Sequence, residues 1–157
     1  MTSDNRLRAE NCNCLAVRQA ARHITQFYDQ CLAPSGLRTT QFSILAKLKR
    51  LGPMTINALA ADLVMDRTTL GRNILPLQRE GLIAVVKGRT DRRSKELRVT
   101  EAGAERLRTA VKGWAEAQTR FEAVFGANRT SELRALLHAV SVSDLGTAPQ
   151  SDIAPEA

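Results

Sequence analysis

The sequence predicts a mainly α fold with a small β-hairpin, and three observations predict it. Apolar residues recur at intervals of three and four along most of the chain, which is the helical period. Two short runs rich in β-branched residues, LIAVV and ELRV, break that period and bracket a charged loop, GRTDRRSK, from Gly88 to Lys95. The positive charge gathers around that pair: residues 38–98 hold 13 Lys/Arg against 5 Asp/Glu, whereas the remainder holds 10 against 11. The formal net charge of +7 therefore arises entirely in the middle of the chain.

Taken in order, residues 1–11 read as a disordered terminus. Val17, Ala20, Ala21, Ile24, Phe27, Tyr28 and Cys31 then make one face of a helix over 12–33, ended by Pro34 and Gly36. Thr39 is placed to cap a second helix, with Phe42, Leu45 and Leu48 inward and Gly52-Pro53 as its stop. Thr55 caps a third, short helix with Ile56, Leu59, Ala60 and Leu63 inward. Asp66 caps a fourth with Leu70, Ile74 and Leu77 as its stripe, closed by Gly81. Pro76 removes one backbone hydrogen bond there and is expected to bend the last turn. After the hairpin, Thr100 caps a long helix carrying Leu107, Val111, Trp114, Gln118, Phe121 and Phe125, and Gly126 closes it. A last helix over about 130–144 presents Leu133, Leu136, Leu137 and Val140, and 146–157 read as a disordered tail.

Two closely spaced helices, the second with polar and basic residues outward, followed by a basic hairpin, describe a winged helix-turn-helix. It occupies 38–99 and is carried between helical segments over 12–33 and 100–145. The flanking segments are apolar beyond the needs of one small lobe. A symmetric dimer would bury Leu107, Val111, Trp114, Phe121, Phe125, Leu133, Leu136, Leu137 and Val140; packing on the chain's own first helix would also bury them.

The residue types of the basic centre suit double-stranded DNA. Arg67, Thr68, Thr69, Arg72 and Asn73 fall on the outer side of the fourth helix, near its start, the part of such a helix that meets base edges. Arg binds guanine bidentately, Asn binds adenine, and Thr donates to phosphate or touches the thymine methyl. A solvated helix face would carry similar residues. In the loop, Arg93 is placed for the minor groove, Asp91 to orient its guanidinium, and Arg89, Arg92 and Lys95 to meet phosphates.

On these stretches the chain resembles the MarR-type transcriptional regulators: TTQFSIL (39–45), TINALAADLVMDRTTLGRNILPLQREGLI (55–83), and the wing signature DRRSKELRVTEAG (91–103). The likeness covers roughly 12–145, and Pro76 departs from the commoner pattern. It implies a homodimer, built by the first, fifth and sixth helices, that binds a pseudo-palindromic operator; the chain is then expected to be a repressor released by a signal, and its odd number of cysteines suits the reducing cytoplasm. Thr39 joins the DNA-contacting residues on this basis.

Two routes for the signal stay open. A small aromatic or phenolic effector would sit between the dimerisation helices and the DNA-binding lobe, with Arg18, Arg22, His23 and Tyr28 as polar contacts. Alternatively, Cys14 falls where the peroxide-sensing branch of the family keeps a reactive cysteine, with Tyr28 matching a tyrosine of that site and Cys12 as a second thiol. Arg18 and Thr39 stand where that branch has further tyrosines. Cys31 reads as a small core residue.

Other classes fit less of the sequence. A thiol enzyme built on Cys14 needs a base, and the two histidines are His23, nine residues on along the same helix, and His138. Cys12, Cys14 and His23 lack metal-site spacing, and no phosphate loop or paired carboxylates appear, so neither cofactor nor metal is expected. A dimeric protein adaptor would use the same helices without the basic face. No apolar run approaches the ~18 residues of a membrane span, the N-terminal stretch has no apolar signal region, and three cysteines form no disulfide framework.

Overall fold

The computed structural model describes residues 8–146. The expectations for 1–7 and 147–157 lie outside the described residues. Ala9–Asn11, assigned to the disordered terminus, instead form one 3-10 turn leading into the first helix. The elements follow as α1 (Asn13–Leu32), α2 (Thr39–Leu51), β1 (Met54–Thr55), α3 (Ile56–Asp62), α4 (Arg67–Arg79), β2 (Ile83–Lys87), β3 (Lys95–Val99), α5 (Glu101–Phe125) and α6 (Ala127–Val142). Helices dominate, with a small antiparallel sheet, as the sequence predicts.

The helix starts follow local chemistry. Thr55 accepts the Ala58 N–H at 3.1 Å, and Asp66 accepts the Thr69 N–H at 2.8 Å. Each replaces a partner that the first turn of its helix lacks. The Thr100 hydroxyl does the same for α5, accepting the Gly103 N–H at 3.1 Å, and donates to the Gly81 carbonyl at 2.6 Å. Thr39 is not a cap. It is the first residue of α2, and both its N–H and its hydroxyl donate to Asp29 Oδ1 at 2.7 Å. Asp29, near the end of α1, accepts both bonds and so ties the start of α2 to α1. Likewise α6 starts at Ala127 rather than near 130, because Gly126 at φ +97 turns the chain at once.

The sheet has the order β1-β3-β2. β2 and β3 pair from Ile83↔Val99 to Lys87↔Lys95, so the charged loop is a hairpin tip. β1 adds Met54↔Leu97 and Thr55↔Glu96. Sequence reading missed β1: two residues behind a Gly-Pro stop show no period.

The chain divides into two compact units between Arg120 and Phe121, inside α5. In the first, Leu32, Ile44, Leu45, Leu59, Leu70, Leu77 and Leu82 are fully buried and define one core under α2–α4 and the sheet. α4 runs unbroken through Pro76 to Arg79, with Leu70, Ile74 and Leu77 buried.

On α5 the buried stripe in the first unit is Gly103, Ala104, Leu107, Ala110 and Ala117, while Val111 and Trp114 are partly exposed in the single chain. A Cβ at Gly113 would overlap the Cys31 backbone oxygen, and one at Gly103 the Leu82 oxygen. Backbones come so close there that only small residues fit. Leu107 packs into the central core of its own chain. Trp114 stacks on Phe42 of α2 at 6.1 Å between centroids.

The N-terminal half of α1 is exposed, including Val17, Ala20 and Ala21, with Leu15 alone half-buried. In the second unit, Phe121 and Phe125 lie 5.5 Å apart and are half-buried, and α6 exposes Leu136, Leu137, Val140 and Val142. No helix among the described residues is long and apolar enough to cross a membrane.

Candidate nucleic-acid interface

α4 is fixed by its buried stripe of Leu70, Ile74 and Leu77, and this fixes what it turns outward. Arg67, Thr68, Thr69 and Arg72 are exposed and Asn73 is half-exposed. The first turn is rigidly capped: Asp66 accepts both the Thr69 N–H and the Thr69 hydroxyl, the latter at 2.6 Å. These bonds hold the Asp66 carboxyl below its ordinary value, the Thr69 hydroxyl contributing most. The Thr69 hydroxyl proton is therefore committed to the cap. Asn73 donates to the Thr69 carbonyl at 2.9 Å, so its amide lies back along the helix.

The hairpin tip is a compact loop. Gly88 N–H donates to the Ser94 carbonyl at 2.9 Å, and the Ser94 hydroxyl and N–H both donate to the Asp91 carbonyl, at 2.7 and 3.1 Å. A Cβ on Gly88 would run into Ser94 and Asp91. Asp91 does not hold the Arg93 guanidinium. Its carboxylate accepts the Arg93 backbone N–H at 2.9 Å, the short-range turn that aspartate makes two residues ahead. Asp91 thus shapes the loop, and the side chains of Arg89, Arg92, Arg93 and Lys95 stand exposed around it.

The charge on this lobe is largely uncompensated within the chain. Of the basic residues in 38–98, Lys47 alone forms an ion pair among the described residues, with Asp62 at 2.8 Å. The other ion pairs belong to Arg106, Arg108 and Arg120 on α5. Cations left unpaired on a helix face and a loop tip hold a field that an external polyanion neutralises.

Sequence reasoning missed one residue. A cavity of about 400 Å³ among α1, α2 and α4 is lined by Thr25, Asp29, Arg38, Thr40, Gln41, Arg72, Asn73 and Pro76. Arg38 belongs to the basic stretch but lies in no helical pattern, and only the fold brings it to the same cavity as Arg72. The residues expected to hold an effector do not gather here. Arg18, Arg22 and His23 are exposed on α1, and Tyr28 donates its hydroxyl to Gln118 of α5. Cys12 and Cys14 are exposed; the Cys12 sulfur accepts the Leu15 N–H at 3.4 Å and so caps α1. Cys31 is buried, with Arg120 at 3.8 Å from its sulfur.

Comparison with known proteins bears on this surface. The model of the MarR family matches residues 37–95, which span α2, the two helices, and the hairpin to the start of β3. An uncharacterized HTH-type transcriptional regulator of Bacillus subtilis, YwoH, is 32% identical over 85 residues, 54% of this chain; the match spans 61% of that protein's length. The M. tuberculosis transcriptional regulator MosR, solved in complex with DNA, is 38% identical, with 83% of this chain and 96% of that one covered, at a TM-score of 0.72. BpsR of Bordetella bronchiseptica, whose DNA binding is regulated by 6-hydroxynicotinic acid, shares the fold at 20% identity and a TM-score of 0.78, with 87% and 98% covered.

Proposed function

The chain belongs to the MarR family of DNA-binding transcriptional regulators, and we propose that it acts as a homodimer on a pseudo-palindromic operator. One observation carries this reading: the exposed cations of α4 and of the hairpin tip lack carboxylate partners among the described residues, while the helix beneath them is capped and buried. Arg67, Thr68 and Arg72 then read base edges in the major groove. Arg93 enters the minor groove, and Arg89, Arg92 and Lys95 meet phosphates. A two-fold dimer spaces two such faces one DNA turn apart. Binding, rather than catalysis, is the activity.

The test is fluorescence anisotropy with labelled DNA from upstream of the gene, set against scrambled DNA of equal composition. Binding of the upstream fragment at least about a thousandfold tighter supports sequence-specific recognition. Equal affinity for both, or none, overturns it.

Release by an effector is supported by the cavity that holds both Arg38 and Arg72, whose one lining carboxylate, Asp29, is engaged by the Thr39 N–H and hydroxyl. A small anionic molecule bound to Arg38 there would engage Arg72 as well, and so favour the state that reads DNA poorly. An aromatic carboxylate such as benzoate is the first probe, and Arg38→Gln is expected to abolish its effect while DNA binding persists. A second reading, thiol sensing, is supported by the exposure of Cys12 and Cys14 at the start of α1. Organic hydroperoxide would pass one oxygen to the Cys14 thiolate and leave as the alcohol. Full DNA binding after peroxide treatment would exclude it.

A further inference from the structure

The turn between α3 and α4 contains a backbone conformation that its residue does not favour. Val64 has φ +51, the one non-glycine residue with positive φ among the described residues. In this left-handed region a β-branched side chain crowds its own backbone, whereas glycine or asparagine fits readily. The neighbours explain the bend. Leu63 and Met65 both turn inward and pack against the core. The Met65 N–H reaches the Ala60 carbonyl at 2.9 Å and the Val64 N–H the Ala61 carbonyl at 3.2 Å.

Between two anchored neighbours, Val64 is left 72% exposed. The fold gains neither burial nor an easy conformation from valine here, and glycine would serve it better. Val64 also stands two residues before the cap Asp66 and three before Arg67, the first residue of the helix with the unpaired basic face. An exposed aliphatic group this near the leading end of that helix is within reach of a surface the helix meets. In the major groove, the apolar feature a valine matches is the thymine 5-methyl group.

We propose that Val64 is a specificity-determining residue that packs its methyl groups against a thymine methyl beside the N-terminus of α4. The inference rests on the DNA-binding reading above and adds to it a contact that carries no charge. It also accounts for valine at a position where backbone strain alone would select glycine.

The test replaces each thymine of the operator in turn with deoxyuridine, which removes only the methyl, for wild-type protein, Val64→Gly and Val64→Asn. For the wild type, one thymine per half-site is expected to show about fourfold weaker binding on replacement, the worth of one buried methyl. Both variants are expected to bind the unmodified operator about fourfold more weakly, and to be indifferent to deoxyuridine at that position. Their thermal unfolding midpoints are expected to rise, and the dependence of affinity on salt to stay unchanged, since no phosphate contact is lost. Wild-type affinity in the variants, or an undiminished response to that deoxyuridine, overturns the contact. Failure of the wild type to bind any upstream fragment overturns the DNA-binding reading, and this contact with it.

Discussion

α4 and α6 are helices of similar length that treat their apolar residues in opposite ways. In α4, Leu70, Ile74 and Leu77 are buried to 3% exposure or less. In α6, Leu136 is 66% exposed, Leu137 40% and Val140 54%. Both sets look alike in the sequence. The difference lies in where the covering surface comes from: α4 finds it in its own chain, whereas α6 keeps a stripe that a second copy of the chain would cover. Burial inside a chain positions a site; an uncovered stripe is left for a partner, here the second copy proposed above.

The largest expected effect comes from breaking that second surface. Leu136→Glu combined with Leu137→Glu is expected to give monomers by sedimentation and to lower operator affinity by roughly a hundredfold or more, because two linked sites become one. Helix content should hardly change, since neither side chain supports the core. A dimer that survives the double substitution would place the interface elsewhere.

Next comes the reading face itself. Arg72→Ala is expected to cost about 1–3 kcal/mol of operator binding and to relax preference at one base position, if that arginine reads guanine. Competition between operator variants measures it. Within the fold, Gly113→Ala is expected to cost about 1–3 kcal/mol of stability, because its methyl would overlap the Cys31 oxygen. Urea unfolding followed through Trp114, stacked on Phe42, reads this directly. Arg93→Ala is expected to weaken binding modestly and to reduce the slope of log affinity against log salt by about one.

The smallest effect is expected at the cap of α4. Asp66→Ala should lower the unfolding midpoint by about 2–4 °C at neutral pH. The sign of the pH dependence follows from the cap bonds. Because Thr69 holds the folded carboxyl below 3.8, the unfolded chain takes up the proton first as pH falls. The contribution of Asp66 is complete above that ordinary value and vanishes as pH falls through the lower folded value. The gap between wild type and variant should therefore close in acid, by calorimetry across pH.

The helix-turn-helix was legible in the sequence because its signals are local. Thr55, Asp66 and Thr100 each cap the helix that follows them, and Leu70, Ile74 and Leu77 recur at the period that buries them. Most differences between sequence and structure are long-range. The bond from Thr39 to Asp29 spans ten residues, β1 exists only through β3, and the buried stripe of α5 is small because Cys31 and Leu82 approach it. Asp91 differs at short range: its carboxylate takes the Arg93 backbone N–H rather than the guanidinium. At the candidate interface, residue types marked the face, but the cavity that joins Arg38 to Arg72 needed the fold.

Whether two copies of this chain together present two DNA-reading faces is read from the stoichiometry of the complex. Purified protein is titrated into labelled upstream duplex at concentrations far above the dissociation constant, and the complex is sized by analytical ultracentrifugation. Two protomers per duplex, dissociating steeply as salt rises, is the expected result. One protomer per duplex at saturation, or a complex indifferent to salt, would contradict it.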